Sequence, residues 1–317
     1  SGKGETPLDN QHLHEMTKEA AKGAFKGKKS LPCKTVPRYP ASAEREFRRV
    51  MNAYMKILNS ELKKELPSIM KAYKAELGND SRFDSFNDLE KKIRESFLII
   101  SKALEQKYFR FDLKRKLDAI AKRAKEITAD EWYRTVKQTL GIDLMKDYYK
   151  GSFYEEGVKN WVGQNVQNIH TLPNQVLDDI RDTIIDGYRK GIHVKDLQKE
   201  IQHRYNISKE TAQTIARDQM STLNAQITQE QHRSAGVTRY KWSTSRDQRV
   251  RDCHRELDGK IISWDDPPEM WYMTKSRGKV YTGRRCHPGE DYCCRCVALP
   301  VFDEDTIILP MNGTDKR

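Results

Sequence analysis

Five of the six cysteines and two of the eight histidines of this 317-residue chain lie between Cys253 and Cys296. The stretch around them opens at Arg249 as RVRDCHRELDGKIISWDDPP and closes as RRCHPGEDYCCRC. Thiolate and imidazole are the side chains that hold a borderline-soft ion such as zinc. His254, His287, Cys294 and Cys296 therefore form a candidate N2S2 set for a closed, structural zinc site, the one cofactor that the residues suggest. The stretch from Gly259 to His287 is poor in core-forming residues, so a metal cross-link there would stand in for a hydrophobic core. Plain packing competes with this reading: reduced thiols around a buried, hydrogen-bonded His254. Cys294 and Cys296 offer a tight bite, and in an extended strand one would bind while the other packs. Cys253, Cys286 and Cys293 are neighbours able to substitute.

Other residues invite weaker chemistry. Arg249 and Arg251 flank Asp247 and Asp252, which favours internal pairing over contact with phosphate. Arg217 and Asn224 lie seven apart on one helix face, where Arg217 would buttress the turn at Asp247. Trp242, Trp264 and Trp271 are simplest as core or interface anchors. Asp265-Asp266-Pro267-Pro268 is a turn whose two carboxylates could also face a divalent ion. No Ser-His-Asp elbow, P-loop or dinucleotide fingerprint occurs. A metal-dependent nuclease of the His-Asn-His kind would need an Asp-His dipeptide and a downstream His or Asn at helical spacing, both missing. A zinc-stabilised DNA-binding module would need a basic recognition helix, yet residues 208–236 hold only Lys209, Arg217 and Arg233 as cations. These two stand as alternatives to a protein without catalytic activity.

The elements that must position these residues follow from composition and period. Hydrophobic residues at 37% and charged residues at 33% suit elongated helices with much exposed area. The net charge of +12 favours a polyanionic neighbour, although its mixed distribution argues for weak, sequence-independent DNA contact. No apolar run is long enough for a membrane span, and the first residues lack the apolar core of a signal peptide. Clustered cysteines then read as reduced thiols or metal ligands rather than a disulfide framework.

Residues 1–42 are basic and irregular and predict an extended arm. Residues 43–170 predict a helical bundle or hairpin array. One stripe runs Phe47, Val50, Met51, Tyr54, Ile57 and Leu58, with Pro67 interrupting or kinking its helix. A second runs Phe86, Leu89, Ile93, Phe97, Ile100 and Leu104 in steps of three and four, and a third Leu113 to Ile127. The apolar fraction looks too low to bury every stripe, so Phe86, Ile93, Phe97 and Ile100 are candidates to meet a partner. A new unit, 171–303, begins at Thr171-Leu172-Pro173. It should hold a helix ending at Gly191, a short one ending near Asn206, and a long one capped at Ser208 and closed at Gly236. Strands are expected at 240–244, 260–264 and 297–302, followed by a tail over 304–317. The fold class is thus mainly α with a small α+β C-terminal domain: an N-terminal helical bundle or hairpins, then helices plus a short-stranded sheet.

The order of residues in the last third resembles a known family. The helix IARDQMSTLNAQITQEQHRSAGV leads to Tyr240-Lys241-Trp242. Then come Asp247-x-Arg249-Val250-Arg251-x-x-His254, Leu257-Asp258-Gly259, Pro267-Pro268, His287-Pro288-Gly289 and Cys294-Arg295-Cys296. Over about residues 190–300 this resembles the phage Mu F-like minor head proteins, also called the phage head morphogenesis domain. Many relatives carry a C-x-x-C pair where this chain has Arg251 and His254, and the later His-Pro-x-Cys-Arg-Cys element is here stretched to HPGEDYCCRC. The resemblance implies a minor capsid protein of a tailed phage or prophage, with no established catalytic activity. It implies recruitment through the portal protein, several copies per virion, other capsid or ejection proteins as neighbours, and non-specific contact with packaged DNA, with which some members are released. The place implied is the capsid interior near the portal vertex, reached from the host cytoplasm during assembly. Arg217, Asn224, Trp242, Asp247, Arg249, Asp258, Gly259 and Arg295 are the residues of this chain that would form the structural motif.

Overall fold

The computed structural model describes residues 10–77 and 82–311, the side chains of 82–86 excepted. The fold is mostly helical with a small antiparallel sheet region near the C-terminus. Two compact units form, each from segments distant in sequence. One comprises Ser1–Ala43, Ala121–Val158 and Asp218–Arg317; the other comprises Glu44–Ile120 and Lys159–Arg217.

The second of these is all helix. It is built from the greater parts of α2 (Ala41–Leu77), α3 (Arg82–Phe111), α6 (Glu155–Arg189) and α7 (Val194–Ser234), with the first turns of α4 (Leu113–Leu140). The apolar steps of three and four put one stripe of each helix inward. Phe47, Met51, Tyr54 and Leu58 of α2 are fully buried, and Tyr54 stacks on Tyr108 with ring centroids 4.0 Å apart. Ile93, Phe97 and Ile100 are buried within this unit too, so they form core rather than an open face for a partner; the side chain of Phe86 lies outside the described residues. The low overall apolar fraction misled that expectation. The charged residues are concentrated on outer faces, which leaves the stripes intact.

Neither proline signal ends its helix. Pro67 lies inside α2 and Pro173 inside α6 without ending either helix. A mid-helix proline forfeits a backbone bond at a cost of about 3 kcal/mol. Around Pro173 the buried side chains of Leu172, Val176, Leu177 and Ile180 outweigh that loss. Likewise α7 runs through Asn206 and Ser208. Ser208 does not cap: its hydroxyl donates back to the carbonyl of Arg204 at 2.9 Å, a bond compatible with a continuous helix.

The other unit holds the sheet. Strands β1 (Ser30–Pro32), β2 (Arg239–Ser243), β3 (Ile261–Ser263) and β6 (Val297–Asp303) form an antiparallel sheet in the order β1-β6-β2-β3. Tyr240 lies opposite Pro300 and Trp242 opposite Ala298, which turns both aromatic rings to the buried face. Strands β4 (Glu269–Thr274) and β5 (Gly278–Arg285) make a separate hairpin, which the sequence reading missed.

Residues 10–25 are not an extended arm but a helix, α1 (Asn10–Phe25). Thr17, Ala21 and Phe25 are buried in a cluster with Trp132, Leu140, Phe302, Ile307 and Leu309. Their spacing of four was legible as one helix face, but the surrounding lysines obscured it. The part of the expected tail before residue 312 is also packed. Thr17 Oγ1 accepts the backbone N–H of Leu309 at 3.0 Å, and Ile307, Leu309 and Met311 are buried.

Helix α7 ends where the glycine signal placed its stop. Gly236 adopts φ +67°, and the N–H of Val237 reaches the carbonyl of His232 at 2.9 Å. A Cβ on Gly236 would lie 1.8 Å from the carbonyl oxygen of Thr306, so only glycine fits.

Candidate metal centre

The His/Cys residues come together from two directions. The short helix α8 (Asp252–Leu257) carries Cys253 and His254, and the loop joining β5 to β6 carries Cys286 through Cys296. The loop is pinned against α7. Asp218 accepts the N–H of Cys293 at 2.7 Å, and the hydroxyl of Ser221 donates to the carbonyl of Cys294 at 2.5 Å. Gly289, with φ +91°, lets the loop approach closely: a Cβ there would stand 2.9 Å from that of Ala225.

Nδ1 of His254 lies 3.7 Å from Sγ of Cys294 and 3.6 Å from Sγ of Cys296. All three ligand atoms are buried and lie within 4.8 Å of one another. Zinc bonds of about 2.0 Å to nitrogen and about 2.3 Å to sulfur at tetrahedral angles require a nitrogen-sulfur separation of roughly 3.6 Å. The N–H groups of Gly289 and Cys296 both point at Sγ of Cys294, each at 3.4 Å. Such donors favour a thiolate. A hydrogen bond from Cys296 is the first cause that drives the Cys294 thiol down, joined by His254, while its partner Cys296 is driven up by the same bond and by burial. A thiolate at Cys294 is the form that a cation would bind. Both cysteines face His254, so neither is merely packed.

The fourth expected ligand is elsewhere. Nδ1 of His287 lies 2.9 Å from the Tyr240 hydroxyl, and its ring packs against Trp264 at 4.7 Å, with burial holding its pKa down. His287 belongs to the aromatic core beside the cluster, not to the ligand group. No further His, Cys, Asp or Glu among the described residues joins the three. The three residues could thus hold a metal ion, one ligand short of the closed four-ligand set expected from the sequence.

Asp291 is the residue that the sequence did not disclose. Its carboxylate is 3% exposed and lies 3.3 Å from Nε2 of His254, 3.2 Å from Arg251 and 3.0 Å from Arg284. Burial pushes this carboxyl up, but the bond to His254 and the two guanidinium charges outweigh it and hold it at about 2. His254 in turn is disfavoured as a cation by burial, yet Asp291 and Cys294 raise it to about 9. The carboxylate beside Nε2 favours a proton on that nitrogen, which leaves Nδ1 as the atom that would give up its proton to a cation held with the sulfurs. Glu290 and Asp291 are adjacent in sequence, and nothing in their spacing tells which one faces His254. Glu290 instead accepts the N–H of His287 at 2.6 Å.

The remaining motif residues form the frame. Asp258 accepts the N–H of Thr244 at 2.8 Å and pairs with Arg246, and Gly259 donates to the carbonyl of Trp242 at 2.8 Å, returning the chain to the sheet. Trp242 is fully buried with its ring 5.5 Å from His254. Asp247 accepts the N–H of Arg249 at 2.9 Å and pairs with Arg295, not Arg217, at 2.5 Å. Arg251 pairs with Asp291 and Asp252 with Arg255, so internal pairing prevails over free cations here. Asn224 accepts a bond from Thr128 at 3.1 Å. The carboxylates of Asp265 and Asp266 pair with Arg233 and Arg285.

Residues 178–299 match the family described as Phage Mu protein F like protein. Over 174 residues, 55% of this chain, it is 34% identical to an uncharacterized protein of Haemophilus influenzae, of which it covers 36%. It is 27% identical over 135 residues to the minor head protein GP7 of Bacillus phage SPP1, spanning 41% of this chain and 42% of that protein. It is 25% identical over 191 residues to the NAD(+)--arginine ADP-ribosyltransferase EFV of Enterococcus faecalis, spanning 58% of this chain and 38% of that protein. The chain thus spans well under half the length of these curated relatives. No solved structure matches. Residues 178–299 thus match the phage Mu F-like family, with distant homology to the minor head protein GP7 of phage SPP1.

Proposed function

We propose that this chain is a minor head protein of a tailed phage or prophage, a structural component that joins the head through the portal, in several copies, and lies beside packaged DNA. The observation that carries the reading is the family match over the sheet-bearing segment together with the likeness to the SPP1 minor head protein. The chemistry of the segment supports it. His254, Cys294, Cys296 and Asp291 are all buried, which suits a cross-link that holds a loop rather than a site that admits substrate. We assign the cluster as a structural zinc site that locks the 286–296 loop onto α8. Zinc supplies there only a bond between chain segments, and the carboxylate of Asp291 orients its imidazole ligand. No helix among the described residues is long and apolar enough to cross a membrane.

The test is co-expression with the portal protein and capsid proteins of the same phage, followed by purification of heads. The chain should co-purify with heads and be captured by immobilised portal, and heads made without it should be fewer or misassembled. Its absence from heads would overturn the assignment. One relative is named for ADP-ribosyl transfer to arginine, and incubation with NAD and an arginine-bearing acceptor checks that activity directly. Transfer of label by this chain would replace the structural reading, as would cleavage of plasmid DNA in magnesium, manganese or zinc.

A further inference from the structure

The β4–β5 hairpin is anchored at its base and open beyond it. Met270 is buried with Trp264 and Cys286 in the core that also holds Cys294 and Cys296, and Lys279 reaches back to Glu256 of α8 at 2.5 Å. Beyond this base the strands bury little: Tyr272, Met273 and Tyr281 are 54, 57 and 59% exposed. Residues 275–277 and 281–285 are exposed as well. A two-stranded ribbon is marginal in water on its own, so its outer half persists because the base holds it.

The composition of the ribbon is one-sided. From Met270 to Arg285 there are five cations, Lys275, Arg277, Lys279, Arg284 and Arg285, and no carboxylate. Lys279, Arg284 and Arg285 pair with Glu256, Asp291 and Asp266 at the base. Lys275 and Arg277, at the tip, pair with no carboxylate among the described residues. Tyr292, also exposed, lies under the Arg284 guanidinium at 5.0 Å. Exposed aromatic rings beside unpaired cations match a partner that offers phosphates and stacking surfaces together. A ribbon of two strands also has the width that a duplex major groove admits.

We propose that the tip of the β4–β5 hairpin is the DNA-contacting element of this chain, with Lys275 and Arg277 on the phosphate backbone and Tyr272 and Tyr281 flanking it, one on each face of the ribbon. This deepens the proposed function, since it rests on the chain lying beside DNA, and it assigns that contact to one surface instead of the dispersed charge.

The test uses the full chain and labelled random-sequence DNA, duplex and single-stranded, in fluorescence anisotropy titrations at rising salt. The Lys275→Ala/Arg277→Ala variant should bind at least about fivefold more weakly at about 50 mM salt, and its log-log salt slope on duplex should fall by roughly 1.8. A Lys71→Ala/Lys74→Ala variant, which removes the same charge from α2, should change binding little. Thermal melts matching the parent chain confirm that the tip variant folds. Preference for duplex assigns the ribbon to a groove. Preference for single strands, with a further loss in Tyr272→Ala/Tyr281→Ala, assigns it to stacking. Equal losses in both lysine variants, or an unchanged tip variant, would overturn the proposal. So would poly-glutamate displacing DNA as effectively as unlabelled DNA, which would point to an acidic protein face. Incorporation into heads is scored separately: a chain absent from heads defeats the minor-head reading, whereas a tip variant that enters heads and binds DNA normally defeats this inference alone.

Discussion

The Asp291 carboxylate lies 3.3 Å from Nε2 of His254, on the side of the ring opposite the sulfurs of Cys294 and Cys296. The relationship holds the His254 ring with Nδ1 towards the two sulfurs. Replacing Asp291 with Asn keeps the volume but removes the charge that fixes the tautomer. Asp291→Asn should therefore bind zinc about 10–100-fold more weakly, measured by competition with a chromophoric chelator. Unaltered affinity would mean that Asp291 serves only to pair with Arg251 and Arg284.

Metal content separates the cluster from ordinary packing. The purified chain should carry one zinc per molecule, and Cys294→Ser or Cys296→Ser should lose it. Cys33, buried in a different cluster with Phe25 and Phe302, gives the control: Cys33→Ser should retain the ion. A chelator should lower the melting temperature of the parent chain and leave that of the Cys294→Ser variant unchanged. Elemental analysis together with paired melts reads both results.

Much of this site is legible in the sequence, and the gaps have physical causes. Residue types and their clustering single out His254, Cys294 and Cys296, which the structure brings together. His287 has the same chemistry, and only the facing aromatic rings of Tyr240 and Trp264 divert it into the core. Asp291 and Arg295 act through tertiary pairing, for which no local spacing exists. Helix periods and the stop at Gly236 are legible, whereas Pro67, Pro173 and Ser208 are strong local signals overridden by packing. The β4–β5 hairpin escaped because its exposed aromatic residues do not alternate cleanly with polar ones.

Phe97 gives a direct check on the helical unit. It is buried with Ile93 and Ile100 as part of the unit's own core. Phe97→Ala should cost about 3–5 kcal/mol, seen as a lower denaturant midpoint for the helical signal. A surface stripe reserved for a partner would instead tolerate the change in the isolated chain.

His232 predicts a dependence on acid. Its ring is fully buried between Trp132 and Trp264, Nδ1 has no partner, and burial pushes its pKa down to about 3. The unfolded chain, with an ordinary imidazole, binds the proton first as pH falls below about 6.5, so stability declines from there towards about pH 3. At pH 5 this single group should account for about 2 kcal/mol of lost stability. Comparing urea midpoints of the parent chain and His232→Phe at pH 7 and pH 5 isolates it. The variant should show the smaller decline, and equal declines would place the acid sensitivity in other groups.

Gly236 ties the end of α7 to the chain's C-terminal segment. Its φ of +67° is strained for any side chain, and an added Cβ would meet the carbonyl oxygen of Thr306 at 1.8 Å. Two bonds share that junction: Thr306 Oγ1 donates to the Gly236 carbonyl at 2.7 Å, and the N–H of Ile308 donates to Ala235 at 3.0 Å. Relief of the clash must therefore move backbone that carries Ile307 and Leu309 into the core with Trp132 and Phe302. Gly236→Ala should destabilise the chain by more than about 1 kcal/mol, against the slight gain that alanine gives where the conformation is permissive. Hydrogen exchange should show the loss first at Ile308 and Leu309. Thr306→Ala removes only the side-chain bond and should cost less than the glycine change. If the two variants were equal, the close approach of the backbones would not be what holds this junction.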